Sequence, residues 1–297
     1  MDPYDELLRG IRTDGAGLNR RELSPPWRLP LPGDADLTLV APLHGEGWFT
    51  PGDGGESRPL RAGDALVVLG PGTAVRADRP PVAVLTDRPP AAGSPSAAPA
   101  TLVIGTYRVG TEVARRLLAV LPPVLVMTGR TGGDDNCSPV LGFLDSQAGG
   151  FPPAQQIVQD RMLDWLLVCT LREWLDRPGS PPPGPLGALA DDIVGPALRA
   201  LHAAPERPWT LAALAAEAGA SRTTLAERFA RLVGRPPLTY LTDWRMALAA
   251  DLLSGSTTTI ATVARRVGYA DAFGFSSAFK RVHGTSPSAY RAGAAVH

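Results

Sequence analysis

LAALAAEAG (211–219), SRTTLAERFARLVG (221–234) and RPPLTY (235–240) are followed by IATVARRVG (260–268), DAFGFSSAFKRVHG (271–284) and TSPSAY (285–290). The second run repeats the first. A shift of 49 carries Leu211, Leu214, Ala215, Ala218 and Gly219 onto Ile260, Val263, Ala264, Val267 and Gly268. A shift of 50 carries Leu225, Phe229, Leu232, Gly234, Pro237 and Tyr240 onto Phe275, Phe279, Val282, Gly284, Pro287 and Tyr290. Eleven paired positions across one inserted residue mark an internal duplication, and a repeat of this length is a repeat of structure. Each copy has the parts of a helix-turn-helix. An apolar-periodic helix ends at a glycine suited to a left-handed backbone, Gly219 or Gly268. A capping residue, Ser221 or Asp271, then opens the next helix.

In the second helix of each copy the i,i+4 pairs Leu225/Phe229 and Phe275/Phe279 face the core. The positions between them face outward: Arg222, Thr223, Ala226, Glu227 and Arg231 in the first copy, Ala272, Phe273, Ser276, Ser277 and Lys280 in the second. Two such helices on one chain can enter successive major grooves. The segment 240–255 is expected to be the helix that joins the copies, with Leu241, Trp244, Leu248 and Leu252 on its apolar face. It would space the recognition helices by about one turn of DNA, roughly 34 Å. The competing reading is a helical bundle with a duplication and no nucleic-acid role.

Charge favours the first reading modestly. The chain carries 29 basic and 29 acidic residues. Residues 1–185 hold 17 Lys/Arg and 21 Asp/Glu, whereas residues 186–297 hold 12 and 8, a mildly basic balance that suits phosphate contact. The acidic start MDPYDELLRG lacks the apolar run of a secretory signal, and no stretch is apolar enough to span a bilayer. Two cysteines, Cys137 and Cys169, are too few for a disulfide scaffold. A soluble cytoplasmic protein is expected.

Residues 20–109 break into short strands separated by Gly and Pro, among them LTLVAPL, EGWFT, LRAGDALVVLG, TAVRA, VAVLT and TLVIGTYRV, a pattern of small sandwiches and barrels. TDRPPAAGSPSAAPA (86–100) reads as a low-complexity loop and 111–121 as a helix. A long helix is expected over 153–176, its apolar stripe wide enough to cover the barrel and to pair with a second copy of the chain. DRPGSPPPGPLG (176–187), with five prolines in twelve residues, reads as a stiff extended linker. The expected architecture is α+β in two domains. Residues 1–176 form a β-barrel with helices, 177–187 the proline-rich linker, and 188–297 an all-α domain with helix-turn-helix motifs at 211–234 and 260–284.

The segments PWTLAALAAEAGASRTTLAERF (208–229), YLTDWRMALAADLL (240–253) and IATVARRVGYADAFGFSSAFKRVHGTSPSAYR (260–291) resemble the DNA-binding domain of the AraC/XylS family of transcription regulators. The resemblance implies a two-motif reader of promoter DNA. By position, Thr223, Ala226, Glu227, Ala272, Ser276 and Ser277 would read bases, and Arg222, Arg228, Lys280 and Arg281 would hold phosphates. Family members often carry Arg where this chain has Glu227 and Ser277. Arg grips guanine with two hydrogen bonds, Glu accepts from a cytosine amine, and Ser serves either way. The change shifts weight from direct readout toward DNA shape or a second subunit.

Around EGWFT (46–50) and LRAGDALVVLGPGTAVRAD (60–78) the chain resembles a cupin barrel, over roughly residues 5–175, of the kind that serves one AraC subgroup as a sensor. Catalytic cupins bind a metal through about three histidines and a carboxylate. This region has one histidine, His44, and Val75 or Arg76 stands where a late ligand would fall, so no metal or other cofactor is expected. A small barrel can instead hold one small molecule, with His44, Trp48, Arg61 and Arg76 as inward-pointing candidates.

The expectation is therefore a non-enzymatic, effector-controlled regulator. Its partners are double-stranded promoter DNA, a small molecule, RNA polymerase where it activates, and its own copy through helix 153–176. A cupin enzyme with a helical appendage is the first alternative. A constitutive DNA binder is another, and a redox sensor using Cys137, expected to be exposed, and Cys169, expected to be buried, is a third.

Overall fold

Two β-branched runs, LTLVAPLH and ATLVIGTYRV, lie side by side at the centre of the larger sheet. The computed structural model describes residues 11–13, 19–32, 35–51, 56–70, 84–87, 99–128, 137–146, 156–175 and 184–294. In chain order its strands are β1 (Ile11–Thr13), β2 (Asn19–Leu23), β3 (Arg28–Pro30), β4 (Leu37–His44), β5 (Glu46–Thr50), β6 (Arg58–Arg61), β7 (Ala65–Leu69), β8 (Val84–Thr86), β9 (Ala100–Val109) and β10 (Val124–Met127). One sheet runs β1-β9-β4-β7-β10, with β2 also on β9, and the other runs β3-β8-β5-β6. Every pairing is antiparallel, as in Leu37 opposite Tyr107 and Trp48 opposite Thr86. The predicted strand LRAGDALVVLG is two strands in different sheets, β6 beside β5 and β7 between β4 and β10, joined by a turn at Gly63 with φ 88°. TAVRA, most of the loop 86–100 and most of the linker 176–187 lie outside the described residues.

The two sheets share one apolar core. Trp27, Val40, Phe49, Leu60, Leu66, Val68, Leu85 and Leu102 meet in it. Alternation along each strand decides who enters: Val40 does so, while Leu39 and Ala41 turn to the other face of the same sheet. Leu39 and Ala41 are also fully buried, because that face is not left to solvent. Three helices follow, α1 (Glu112–Leu118), α2 (Ser138–Ser146) and α3 (Gln156–Leu175). Helix α3 lies against the sheet through Leu163, whose backbone carbonyl accepts from the buried Tyr107 hydroxyl at 2.8 Å. Gly105 lets it approach, since a Cβ there would meet Leu163 Cδ2 at 3.0 Å.

The remaining helices are α4 (Pro185–Ala188), α5 (Val194–Ala203), α6 (Leu211–Glu217), α7 (Arg222–Val233), α8 (Pro237–Gly255), α9 (Ile260–Arg266), α10 (Ala272–His283) and α11 (Pro287–Ala294). The chain divides into two packed units. One holds Ile11–Val109 with Pro122–Ser180, and the other joins Gly110–Leu121 to Pro181–His297. Helix α1 therefore lies between β9 and β10 in sequence but packs in the helical unit. Its first backbone N–H groups, of Glu112 and Val113, donate to the Asp251 carboxylate of α8 at 2.6 and 3.2 Å. Arg116 donates to the Asp243 carbonyl at 3.0 Å. A carboxylate at a helix N-terminus satisfies donors that have no partner within the helix.

Helix α8 buries side chains on nearly every side, because both copies of the repeat pack on it. Its N-terminal half carries Tyr240 and Trp244 toward the first copy, with Tyr240 edge-on to Phe229 at 5.7 Å. Its C-terminal half carries Met246, Ala250 and Leu253 into a core with Val263, Phe275 and Phe279. The expected apolar face of Leu241, Trp244, Leu248 and Leu252 describes one side only, and Leu248 and Leu252 are partly exposed.

Candidate nucleic-acid interface

The two motifs are built from the same local parts. Thr210 caps α6 by accepting from the Ala213 N–H at 3.1 Å, and Thr259 caps α9 by accepting from the Thr262 N–H at 3.2 Å. Each helix then turns at a glycine with positive φ, 61° at Gly219 and 84° at Gly268. Ser221 caps α7 on the Thr224 N–H at 3.1 Å, and Asp271 caps α10 on the Gly274 N–H at 2.7 Å. Both helices stop at a left-handed glycine, Gly234 and Gly284, and a proline then begins the next helix. These contacts span three or four residues, so each motif sets its own turn.

Leu225 and Phe229 of α7, and Phe275 and Phe279 of α10, are fully buried. That fixes which sides of the two helices remain free. Arg222, Thr223 and Glu227 are exposed on α7, with Ala226 partly exposed between them. On α10, Ser277, Lys280 and Arg281 are exposed, and Ala272 and Ser276 partly so. The Ser276 hydroxyl donates back to the Ala272 carbonyl at 2.7 Å, which leaves its oxygen to accept. Phe273, beside Ala272, is 84% exposed.

Arg228 has carboxylate partners within the chain. Expected as a phosphate contact, it donates from Nε to Asp191 at 2.8 Å and from Nη2 to Asp192 at 2.7 Å. Asp191 also accepts from the Ile193 and Val194 N–H groups at 3.0 and 2.8 Å. Burial alone would raise the Asp191 pKa, but those N–H donors and the guanidinium outweigh it, and the carboxyl titrates below its usual range. Arg228 is thus a tie between α7 and the start of α5.

The barrel residues depart from expectation in register. Phe49 and Leu60 point into the apolar core, so by strand alternation Trp48 and Arg61 face away from it, Trp48 only partly buried. The Arg61 side chain is 72% exposed, with Glu46 at 3.8 Å. His44 ends β4 exposed, its Nε2 2.8 Å from Asp145. His44 and Arg61 do not point inward, and Arg76 lies outside the described residues. Cys137 corrects the expectation of an exposed thiol: it is 1% exposed just before α2, whereas the redox reading needs it accessible. Cys169 is partly exposed on α3 rather than buried. Among the described residues no group of three His, Cys, Asp or Glu side chains could hold a metal ion, and no helix is long and apolar enough to cross a membrane.

A family model described as "Cupin" matches residues 2–176, and one described as "Helix-turn-helix domain" matches residues 214–293. An AraC-like transcription regulator of Streptomyces lividans is 39% identical over 190 residues, 64% of this chain and 62% of that protein. The chain belongs to the AraC-like regulators with an N-terminal cupin domain. A second such AraC-like regulator, of Streptomyces antibioticus, is 37% identical over 190 residues, 64% of this chain and 63% of that one. The matched stretch spans less than two thirds of either relative. The solved DNA-binding domain of AdpA, in complex with a target DNA, aligns with 35% of this chain and 93% of its own at 35% identity and a TM-score of 0.33.

Sequence reasoning missed two features of this AraC-like domain. The pairing of Arg228 with acids 36 and 37 residues earlier left no local signal. Nor did the buried histidine under α8: His202 stacks on Trp244 with ring centroids 3.9 Å apart and shares a 2.7 Å hydrogen bond with the Tyr240 hydroxyl.

Proposed function

We propose that the chain is a sequence-specific DNA-binding transcription regulator. In this reading α7 and α10 enter successive major-groove segments of a promoter. The observation that carries it is the repeated geometry: two helices, each capped, each ended at a left-handed glycine and each packed on α8 by one face, leave the other face exposed. Thr223, Ala226, Glu227, Ala272, Ser276 and Ser277 face bases, and Arg222, Lys280 and Arg281 face phosphates. The N-terminal domain takes a small-molecule effector that binds one state of the protein better than another. The protein acts in the cytoplasm, without enzymatic activity of its own, and meets RNA polymerase at the promoters it activates.

A homodimer through α3 is part of the reading. Leu163, Leu166, Leu167 and Leu171 of that helix are buried in its own unit, while Ile157 is 71% and Trp165 50% exposed on the same helix. Apolar side chains left over after the core is covered are what a second copy would bury.

The test is a fluorescence-anisotropy titration of the full chain against its own upstream intergenic DNA, with random duplex as competitor, at two salt concentrations. Tight binding that resists competitor is the expected result. Arg222→Ala should weaken binding to every sequence and lower the salt slope by about 0.9, while Thr223→Ala should change base preference. An Arg222→Ala variant with unchanged affinity for random duplex would overturn the contact assignment.

A further inference from the structure

Phe273 is the most exposed of the large hydrophobic side chains among the described residues, at 84%, and it stands in the first turn of α10. The opposite stripe of that helix, Phe275, Ala278 and Phe279, is buried, so Phe273 is surplus to the core. It heads an exposed row at i, i+4 and i+7 with Ser277 and Lys280, and Arg281 follows. By the internal repeat its counterpart in α7 is Thr223. Apolar ring, hydroxyl and ammonium thus descend one face of the helix.

The next residue adds an independent observation. Gly274 occupies the third helical position, where glycine is a poorer helix former than alanine. Nothing in the chain demands it, since a Cβ at 274 would make only ordinary contacts with Asp271, the nearest at 3.5 Å. A bare backbone beside a projecting ring gives clearance for a close surface to reach the ring. The N-terminal residues of a recognition helix approach base edges, and the one apolar group displayed in the major groove is the thymine methyl.

We propose that Phe273 is a specificity-determining residue that packs against a thymine C5-methyl group in the major groove. The inference rests on the reading of α10 as a recognition helix. It fits the polar residues of that face: Ser276 and Ser277 offer single hydrogen bonds and no bidentate grip, so the ring supplies selectivity that they do not. The flanking cations Lys280 and Arg281 make an anionic partner the complementary one.

The experiment uses the full chain. A duplex library with a randomised centre is selected on the wild type, on Phe273→Ala and on Phe273→Leu, and the enriched site is then bound with each thymine replaced in turn by deoxyuridine. That exchange removes a methyl group and nothing else. The expected result is one thymine whose replacement weakens wild-type binding about fourfold, the worth of one buried methyl. The same exchange leaves Phe273→Ala binding unchanged and has a smaller effect on Phe273→Leu. Phe273 is 84% exposed, so all three proteins should melt at nearly the same temperature. If the wild type enriches a site but Phe273→Ala enriches the same one, and no deoxyuridine exchange discriminates the two, the thymine contact is refuted while DNA reading stands. If the wild type enriches no site and binds every duplex alike, the DNA-reading assignment fails and this inference with it.

Discussion

Lowering the pH from 7.5 to 5 should destabilise the helical unit by about 2 kcal/mol through one side chain, His202. The ring is 2% exposed, stacked on Trp244, with Nε2 at 2.7 Å from the Tyr240 hydroxyl and Nδ1 without a partner. Burial disfavours the imidazolium and pushes its pKa down from 6.5 to about 3. The folded value lies below the unfolded one. The stability is therefore fully present above pH ~6.5 and is lost as pH falls from there toward about 3, because the unfolded chain takes up a proton that the folded chain refuses. At about 1.4 kcal/mol per pH unit, pH 5 gives about 2 kcal/mol. The assay is urea denaturation of the full chain followed by far-ultraviolet circular dichroism between pH 7.5 and 5, for the wild type and His202→Phe. The phenyl ring keeps the stack and cannot titrate, at a pH-independent cost of about 1 kcal/mol for the lost hydrogen bond to the Tyr240 hydroxyl. His283, whose pKa burial also lowers, is present in both proteins, so its contribution cancels in the comparison. A His202→Phe protein that loses stability with pH as steeply as the wild type would refute the argument. So would an imidazole resonance of His202 that titrates near pH 6.5 in the folded state.

The turn glycines should differ in cost. Both need positive φ, but a Cβ at Gly219 meets open space, whereas one at Gly268 falls 2.6 Å from the Glu206 carbonyl oxygen. Gly219→Ala should cost about 1 kcal/mol of left-handed strain and Gly268→Ala roughly 2–4 kcal/mol once the overpacking is added, read from denaturation midpoints. Arg228→Ala should lower stability by about 1–2 kcal/mol, most of it from the Asp191 bond, since Asp192 is exposed. Unlike Arg222→Ala it should leave the salt slope of DNA binding unchanged. A reduced slope in that titration would return Arg228 to the phosphate contacts.

What could be read from the sequence was what neighbours in sequence determine. The caps Ser221 and Asp271, the turn glycines and the buried pairs Leu225/Phe229 and Phe275/Phe279 follow from i,i+3 and i,i+4 relations, and the duplication showed them twice. Longer-range partners were not readable. Asp251 finds the start of α1 across 138 and 139 residues, and no local pattern says that a helix between two strands of one unit packs in the other. Two barrel candidates face away from the core because of period: a strand alternates every residue, so a one-residue error in register exchanges Arg61 for Leu60 and Trp48 for Phe49. Cys137 failed for another reason. Its polar neighbours in sequence suggested a solvent-facing loop, but the residue immediately precedes α2, its carbonyl accepts from the Leu141 N–H, and its side chain is buried.

The burial of α8 on several sides bears on how the proposed reader would work. A helix with one apolar stripe supports one partner, but α8 holds the first motif through Tyr240 and Trp244 and the second through Met246, Ala250 and Leu253. Its 19 residues span about 28 Å at 1.5 Å per residue, close to the roughly 34 Å between successive major-groove faces. A single rigid helix packed at both ends sets the separation of α7 and α10, with no flexible joint to absorb an error. The two motifs must then engage DNA as one body, so losing Arg222 and losing Phe273 should not be independent. Once one motif is freed from its groove, contacts made by the other are held less firmly. Under the proposed reading, the double variant should therefore bind less weakly than the product of the two single losses would give.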